Sequence, residues 1–180
     1  DGWSMGILSR ELLALYKAYS NNQPSPLLPL QLQYGDFSKW QNDKLQTDYL
    51  KKHLDYWKQK LDLDASVLEL PNDHPRPAKF TFDGSSFSFT IKIALVKKMK
   101  ALGAKNDVTF FMTLLSLFKV LLYRYTGNEK ISVGSPIANR TRAQTESLIG
   151  FFVNTLVLQT DISGDPSFLE LLQRVKKTTL

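Results

Sequence analysis

Apolar residues at Met5, Leu8, Leu12, Leu15 and Tyr19 recur three and four apart, which predicts one stripe of a helix over about 4–19. Asp1 and Ser4 stand at its entry as cap candidates. The stretch NNQPSPLLPLQLQ carries Pro24, Pro26 and Pro29, cannot continue that helix, and predicts an extended surface connection. From Tyr34 a second helical region runs to Leu61, with Leu50, Leu54, Trp57 and Leu61 as its stripe and His53 at the stripe's boundary. LELPNDHPRPAKF breaks regular structure. Beyond it Phe87, Phe89, Ile91 and Ile93 alternate with polar residues, which predicts a strand with one buried face.

ALVKKMKALGAK predicts a short amphipathic helix. Thr109 then opens TFFMTLLSLFKVLLYRYTG, apolar nearly all the way round until Gly127 stops it, so this helix is expected to be buried on most sides. ISVGSPIANR predicts a strand entering a Gly/Pro turn and TLVLQTDI another strand. Asp165-Pro166 reads as the cap and first position of a last helix, SFLELLQRVKK. Helices and strands in mixed order predict an α/β layered domain.

With 43% apolar and 12% aromatic residues over 180 positions, disorder is excluded. The apolar runs are too short or too interrupted by charge to span a membrane. Cysteine is absent, which removes disulfides, thiolate metal sites and a Cys nucleophile, and is compatible with a reducing compartment. His53 and His74 stand on different segments without an HExxH pattern, so no metal site is expected. The net charge of +6 comes from scattered basic residues whose densest runs fall on helix faces, which reads as solvation; part of the excess also suits an acidic partner or a phosphorylated cofactor. No GxGxxG, GxxxxGK[ST] or GxSxG occurs, and no basic sheet with paired aromatics suggests nucleic acid.

Three clusters of potential chemistry remain: DGWS at 1–4, YGDFSKWQ at 34–41, and GSPIANRTRAQTESLIGFFVNTL at 134–156. Each alone is compatible with a cap, an aromatic helix start or a core strand. Together with LPNDHPRP, the ordered series DGWS, YGDFSKW, LPNDHPRP, SPIANR and IGFFVNT resembles the condensation domains of nonribosomal peptide synthetases. In that family HHxxxDG, a YxDF/YxxW element, LPxDxPRP, PIxNR and IGxFVNT follow one another in this order.

The resemblance implies a chloramphenicol-acetyltransferase-like α/β fold of two lobes. Residues 1–180 are then a partial domain: about 1–70 close the first lobe and about 71–180 make much of the second. It implies an acyltransferase that joins aminoacyl or peptidyl groups held as phosphopantetheine thioesters on carrier domains, beside an adenylation domain, in the cytoplasm. No cofactor is expected on the domain itself. The second His of HHxxxDG acts as base or positioner, and it falls upstream of Asp1, so the chain is expected to be inactive alone. The implied site residues are Asp1, paired with Arg140 or else Arg142; Gly2, beside the His-bearing loop; and Asn154, offering an amide. An incomplete lobe is expected to expose Trp3, Phe151 and Phe152. Heterocyclization and epimerization domains, or a non-catalytic carrier-docking module, are the alternatives. Trp3 preceding Ser4 counts against epimerization, and the intact DGWS against heterocyclization.

Overall fold

The computed structural model describes residues 1–61, 67–75, 77–79 and 81–180; Arg76 of LPNDHPRP lies outside the described residues. Helix α1 spans Gly2–Ser20, with Asp1 as its N-cap. The Pro-bearing connection carries no helix or strand up to α2, Tyr34–Leu45. The helical region expected from 34 to 61 is two helices, α2 and α3, Asp48–Lys60. Thr47 divides them. Its hydroxyl donates to the Lys44 carbonyl at 2.7 Å, closing one helix, and accepts the Tyr49 amide at 3.3 Å, opening the next.

The strand expected through Phe87, Phe89 and Ile91 is absent: residues 81–92 are in neither helix nor strand, and Phe87 is 89% exposed. Alternation makes a segment fit for a sheet, but a strand also needs a hydrogen-bonding neighbour. The only sheet among the described residues pairs β1, Lys130–Ile137, with β2, Asn154–Asp161. Ile93 begins α4, Ile93–Lys105, rather than ending a strand.

Helix α5, Phe110–Thr126, is capped by Thr109 and stopped by Gly127, whose φ of +70° suits glycine. It is not buried on most sides. Met112, Leu115, Ser116, Lys119 and Leu122 face inward, whereas Phe111, Phe118, Leu121 and Tyr125 stay exposed. Four-residue α6, Ala143–Glu146, was not foreseen. Helix α7, Phe168–Thr179, starts two residues later than the Asp-Pro pair suggested. Ser167 and Glu170 form its capping box, with the Ser167 amide donating to Glu170 Oε2 at 2.7 Å, while Asp165 adopts φ +46° in the preceding turn.

The chain forms two compact units, Asp1–Asp62 with Gly134–Leu156, and Leu63–Val133 with Val157–Leu180. The core of the second gathers Val108, Met112, Leu115 and Leu122 against Ile131, Leu158, Leu171, Leu172 and Val175. Lys119 is fully buried in it. Its Nζ donates to the Leu158 carbonyl and Thr160 Oγ1, each at 2.6 Å, and lies 3.4 Å from the Ile131 carbonyl. Ser4, Ile7, Thr145, Leu148 and Phe152 are buried residues of the first unit.

Candidate functional site

Three of the sequence clusters meet in the first unit, around the N-terminus of α1. The Asp1 side chain caps that helix: Oδ1 accepts the Ser4 amide at 2.9 Å and the Ser4 hydroxyl lies 2.8 Å away. Its other oxygen, Oδ2, accepts the Phe152 amide at 2.9 Å. Arg140, carried on the turn after β1, lies 3.4 Å from Asp1 Oδ1, and the two side chains are 1% and 4% exposed. Arg140 is thus the partner of Asp1. Arg142 instead stands over the Trp40 ring, 4.5 Å from its centroid.

Ser4 uses the whole valence of its hydroxyl. It accepts the Gly150 amide at 3.0 Å and Arg140 Nη2 at 2.9 Å, and its single proton has the Asp1 carboxylate and the Gly150 carbonyl, both at 2.8 Å, to choose between. Arg140 Nη1 donates to the carbonyls of Thr145 and Leu148, the latter at 2.9 Å. Nε is the one guanidinium nitrogen without a partner among the described residues. The guanidinium carbon Cζ lies over the Phe152 ring, 4.0 Å from its centroid. Burial lowers the Arg140 pKa from its ordinary value, and the carboxylate, the hydroxyl and two carbonyls offset that cost.

The YGDFSKW element closes the cluster from the side. Tyr34 meets Phe152 edge-on at 5.2 Å, Phe37 meets it at 4.7 Å, and the Tyr34 hydroxyl donates to the Phe151 carbonyl at 3.0 Å. Phe152 is therefore 2% exposed, contrary to expectation, while Trp3 and Phe151 are 51% and 68% exposed as expected. Gly150 has no room for a side chain: an added Cβ would lie 2.3 Å from Tyr34 Cδ2. The opposite holds at Gly2, where a Cβ would meet nothing within 4 Å. Asn154 stands apart from this cluster. Its Oδ1 accepts the Thr155 amide at 2.8 Å, and it lines a cavity of about 440 Å³ with Asn139, Thr141, His53, Trp40 and Trp57.

Chemically the cluster is a clamp. The Asp1 carboxylate is occupied by two amides, a hydroxyl and a guanidinium, and so is built to hold backbone rather than to take a proton from a substrate. Ser4, Gly150 and Phe152 belong to it although the sequence reading assigned them no role at the site. Their signal lay in the motifs: Asp1 and Ser4 have the three-residue spacing of a cap, and Gly150 and Phe152 are fixed letters of IGxFVNT.

The family model for the condensation domain matches residues 1–180. The chain belongs to the condensation-domain family. A linear gramicidin synthase of Brevibacillus parabrevis is 49% identical over 180 residues, all of this chain and 4% of that protein. Bacitracin synthase 2 of Bacillus licheniformis is 42% identical over 179 residues, 99% of this chain and 7% of that protein. The chain thus spans a small part of each relative's length. The solved SgcC5 protein of Streptomyces globisporus, 29% identical, matches 99% of this chain and 40% of its own with a TM-score of 0.79. The X-domain from teicoplanin biosynthesis, 23% identical, matches 99% of this chain and 41% of its own with a TM-score of 0.92, a likeness of fold. The α/β fold is that of condensation domains, chloramphenicol-acetyltransferase-like. In this condensation-domain chain no single helix is long and apolar enough to cross a membrane, among the described residues.

Proposed function

We propose that this chain is part of a domain that forms amide bonds between groups held as thioesters on carrier domains. The amine nitrogen of the acceptor attacks the thioester carbonyl carbon of the donor. A C–N bond forms, the C–S bond breaks, the amine gives up a proton, and the donor arm leaves as a thiol, so that the lengthened chain remains on the acceptor. Phosphopantetheine belongs to the carriers; the domain supplies no cofactor of its own. Carrier domains and a neighbouring adenylation domain are the partners, and the cytoplasm, where such thioesters are made, is the compartment.

The observation that carries this reading is the convergence of DGWS, SPIANR and IGFFVNT on the Asp1 carboxylate. A family match alone gives descent; a buried clamp under the family's motif gives those residue types a physical reason. In the proposed roles Asp1 and Arg140 hold the motif loop in shape, Gly2 opens the helix, and Asn154 offers an amide to whatever enters its cavity. None of them exchanges protons with substrate, a task left to the motif's His.

The test uses the full-length protein containing this chain, with its donor and acceptor carriers loaded and the Cα of the donor deuterated. Mass spectrometry of the acceptor is expected to find donor plus acceptor joined with the label kept. A joined product with a further loss of water would mean heterocyclization. Label lost without a joined product would mean epimerization. No change on either loaded carrier would leave a docking role, and each of these three results overturns the proposal.

A further inference from the structure

Lys119 extends from α5 into the core, where it is fully buried, and the reaction proposed above makes no use of it. An apolar side chain of similar length would fill that space without the cost of burying charge. What the amine adds is three polar contacts. Nζ donates to the Leu158 carbonyl and Thr160 Oγ1 at 2.6 Å each and reaches the Ile131 carbonyl at 3.4 Å, so it ties β1 to β2.

The direction of the neighbouring protons shows which form of the amine is held. The Thr160 hydroxyl donates to Thr178 Oγ1 at 3.4 Å, and the Thr178 hydroxyl has the carbonyls of Arg174 and Gln159, at 3.1 and 3.3 Å, to donate to. Thr160 Oγ1 therefore faces Lys119 as an acceptor, as both carbonyls do. An ammonium has three protons for three acceptors, whereas a neutral amine would turn its lone pair toward one of them. The charged groups of the surrounding elements are engaged elsewhere or exposed. Asp161 is held below its ordinary pKa by its hydrogen bonds to Ser163 and then by Arg174 and Lys130. Lys176 pairs with Asp107, Glu170 caps α7, and Lys177 and the four lysines of α4 are exposed. Burial is what pushes the Lys119 pKa down, to about 8.

The two strands tied by this amine lead into the clamp. β1 ends at Ile137, three residues before Arg140, and β2 begins at Asn154, two residues after Phe152. Arg140 and the Phe152 amide both meet the Asp1 carboxylate. A strand pair keeps one register along its length, so what holds β1 against β2 at Ile131 and Leu158 also fixes where Arg140 and Phe152 arrive.

We infer that Lys119, as an ammonium, is a positioning residue for amide formation that acts on the Asp1–Arg140 clamp through β1 and β2. The inference rests on the function proposed above. It sets two responses to pH against each other. As the folded chain releases this proton above about pH 8, stability against urea rises while the ties, and the transfer rate with them, are lost. A lysine that served the core alone would leave the rate of the folded protein untouched.

The test follows kcat for amide formation by the full-length protein, with saturating loaded carriers, from pH 7.5 to 9.5. Wild type, Lys119→Met and Thr160→Val are compared as ratios, which cancel the titration of the acceptor amine common to all three. The wild type is expected to exceed Lys119→Met about 10-fold at pH 7.5, for a misplacement under about 1 Å, and to match it at pH 9.5. Thr160→Val removes one acceptor of the ammonium, so its rate is expected to fall at a lower pH than that of the wild type. A constant ratio of wild type to Lys119→Met over the whole range overturns the inference and leaves Lys119 a core residue. Should Lys119→Met fail to fold, Thr160→Val decides alone, and a fall at the wild-type pH overturns it. A wild type that forms no amide at any pH removes the proposed function and this inference together.

Discussion

Two glycines of the same motif set illustrate how far a residue's neighbours decide its role. At Gly150 a methyl group would lie 2.3 and 2.6 Å from the Tyr34 ring carbons, so Tyr34 or the loop must move. Overpacking of this kind costs about 1–3 kcal/mol. At Gly2, in the first turn of α1, the space is open, and alanine has the better helix propensity. Urea midpoints of this chain are therefore expected to fall in Gly150→Ala and to stay level or rise slightly in Gly2→Ala. A Gly150→Ala variant as stable as the wild type would remove the close contact. At this scale the site was partly legible. Asp1 and Arg140 are charged letters of recognisable motifs, and a buried carboxylate needs a cation. The share of Ser4 was hidden, because a serine at a helix start is a sufficient cap without any distant partner.

Among the elements, helix periods were the readable signal, and strand and burial assignments were less so. The stripe of Met5, Leu8, Leu12 and Tyr19 located α1, and Gly127 located the end of α5. The alternation at Phe87–Ile91 misled because alternation reports fitness for a sheet face and carries no information on which strand lies alongside. On α5 an apolar surface all round does not say which side is covered, and the residue that marks the covered side is a lysine. Lys119 places its amine between β1 and β2, and burial pushes its pKa down from the usual 10.5 to about 8. Between about pH 8 and 10.5 the unfolded chain keeps a proton on this amine that the folded chain has released, so stability rises with pH through that window. The urea midpoint is expected to increase from pH 7.5 to 9.5 in the wild type by more than in Lys119→Met. An equal pH response of the two proteins would show that the amine does not titrate there.

At the scale of the whole molecule, the first unit takes its members from both ends of a long sequence interval, Asp1–Asp62 and Gly134–Leu156. No local pattern reveals that regrouping, whereas the reading by family anticipated one of its consequences, the meeting of Asp1 with Arg140. Both units leave apolar helix faces exposed, Leu12 and Tyr16 on α1 and Leu121 and Tyr125 on α5 among them. In the proposed function the Asp1–Ser4–Arg140 clamp holds the loop of IGFFVNT against the start of α1 for amide formation. Single-turnover transfer from a loaded donor to a loaded acceptor, in the full-length protein with and without Arg140→Ala, measures this directly. Removing one partner of a buried pair strands the other, and a misplacement of about 1 Å in such a site can lower a rate about 100-fold. Rapid amide formation is expected of the wild type, and a loss of about that size of the variant. An Arg140→Ala protein that transfers as fast as the wild type, or a wild type that forms no amide from loaded carriers, would contradict it.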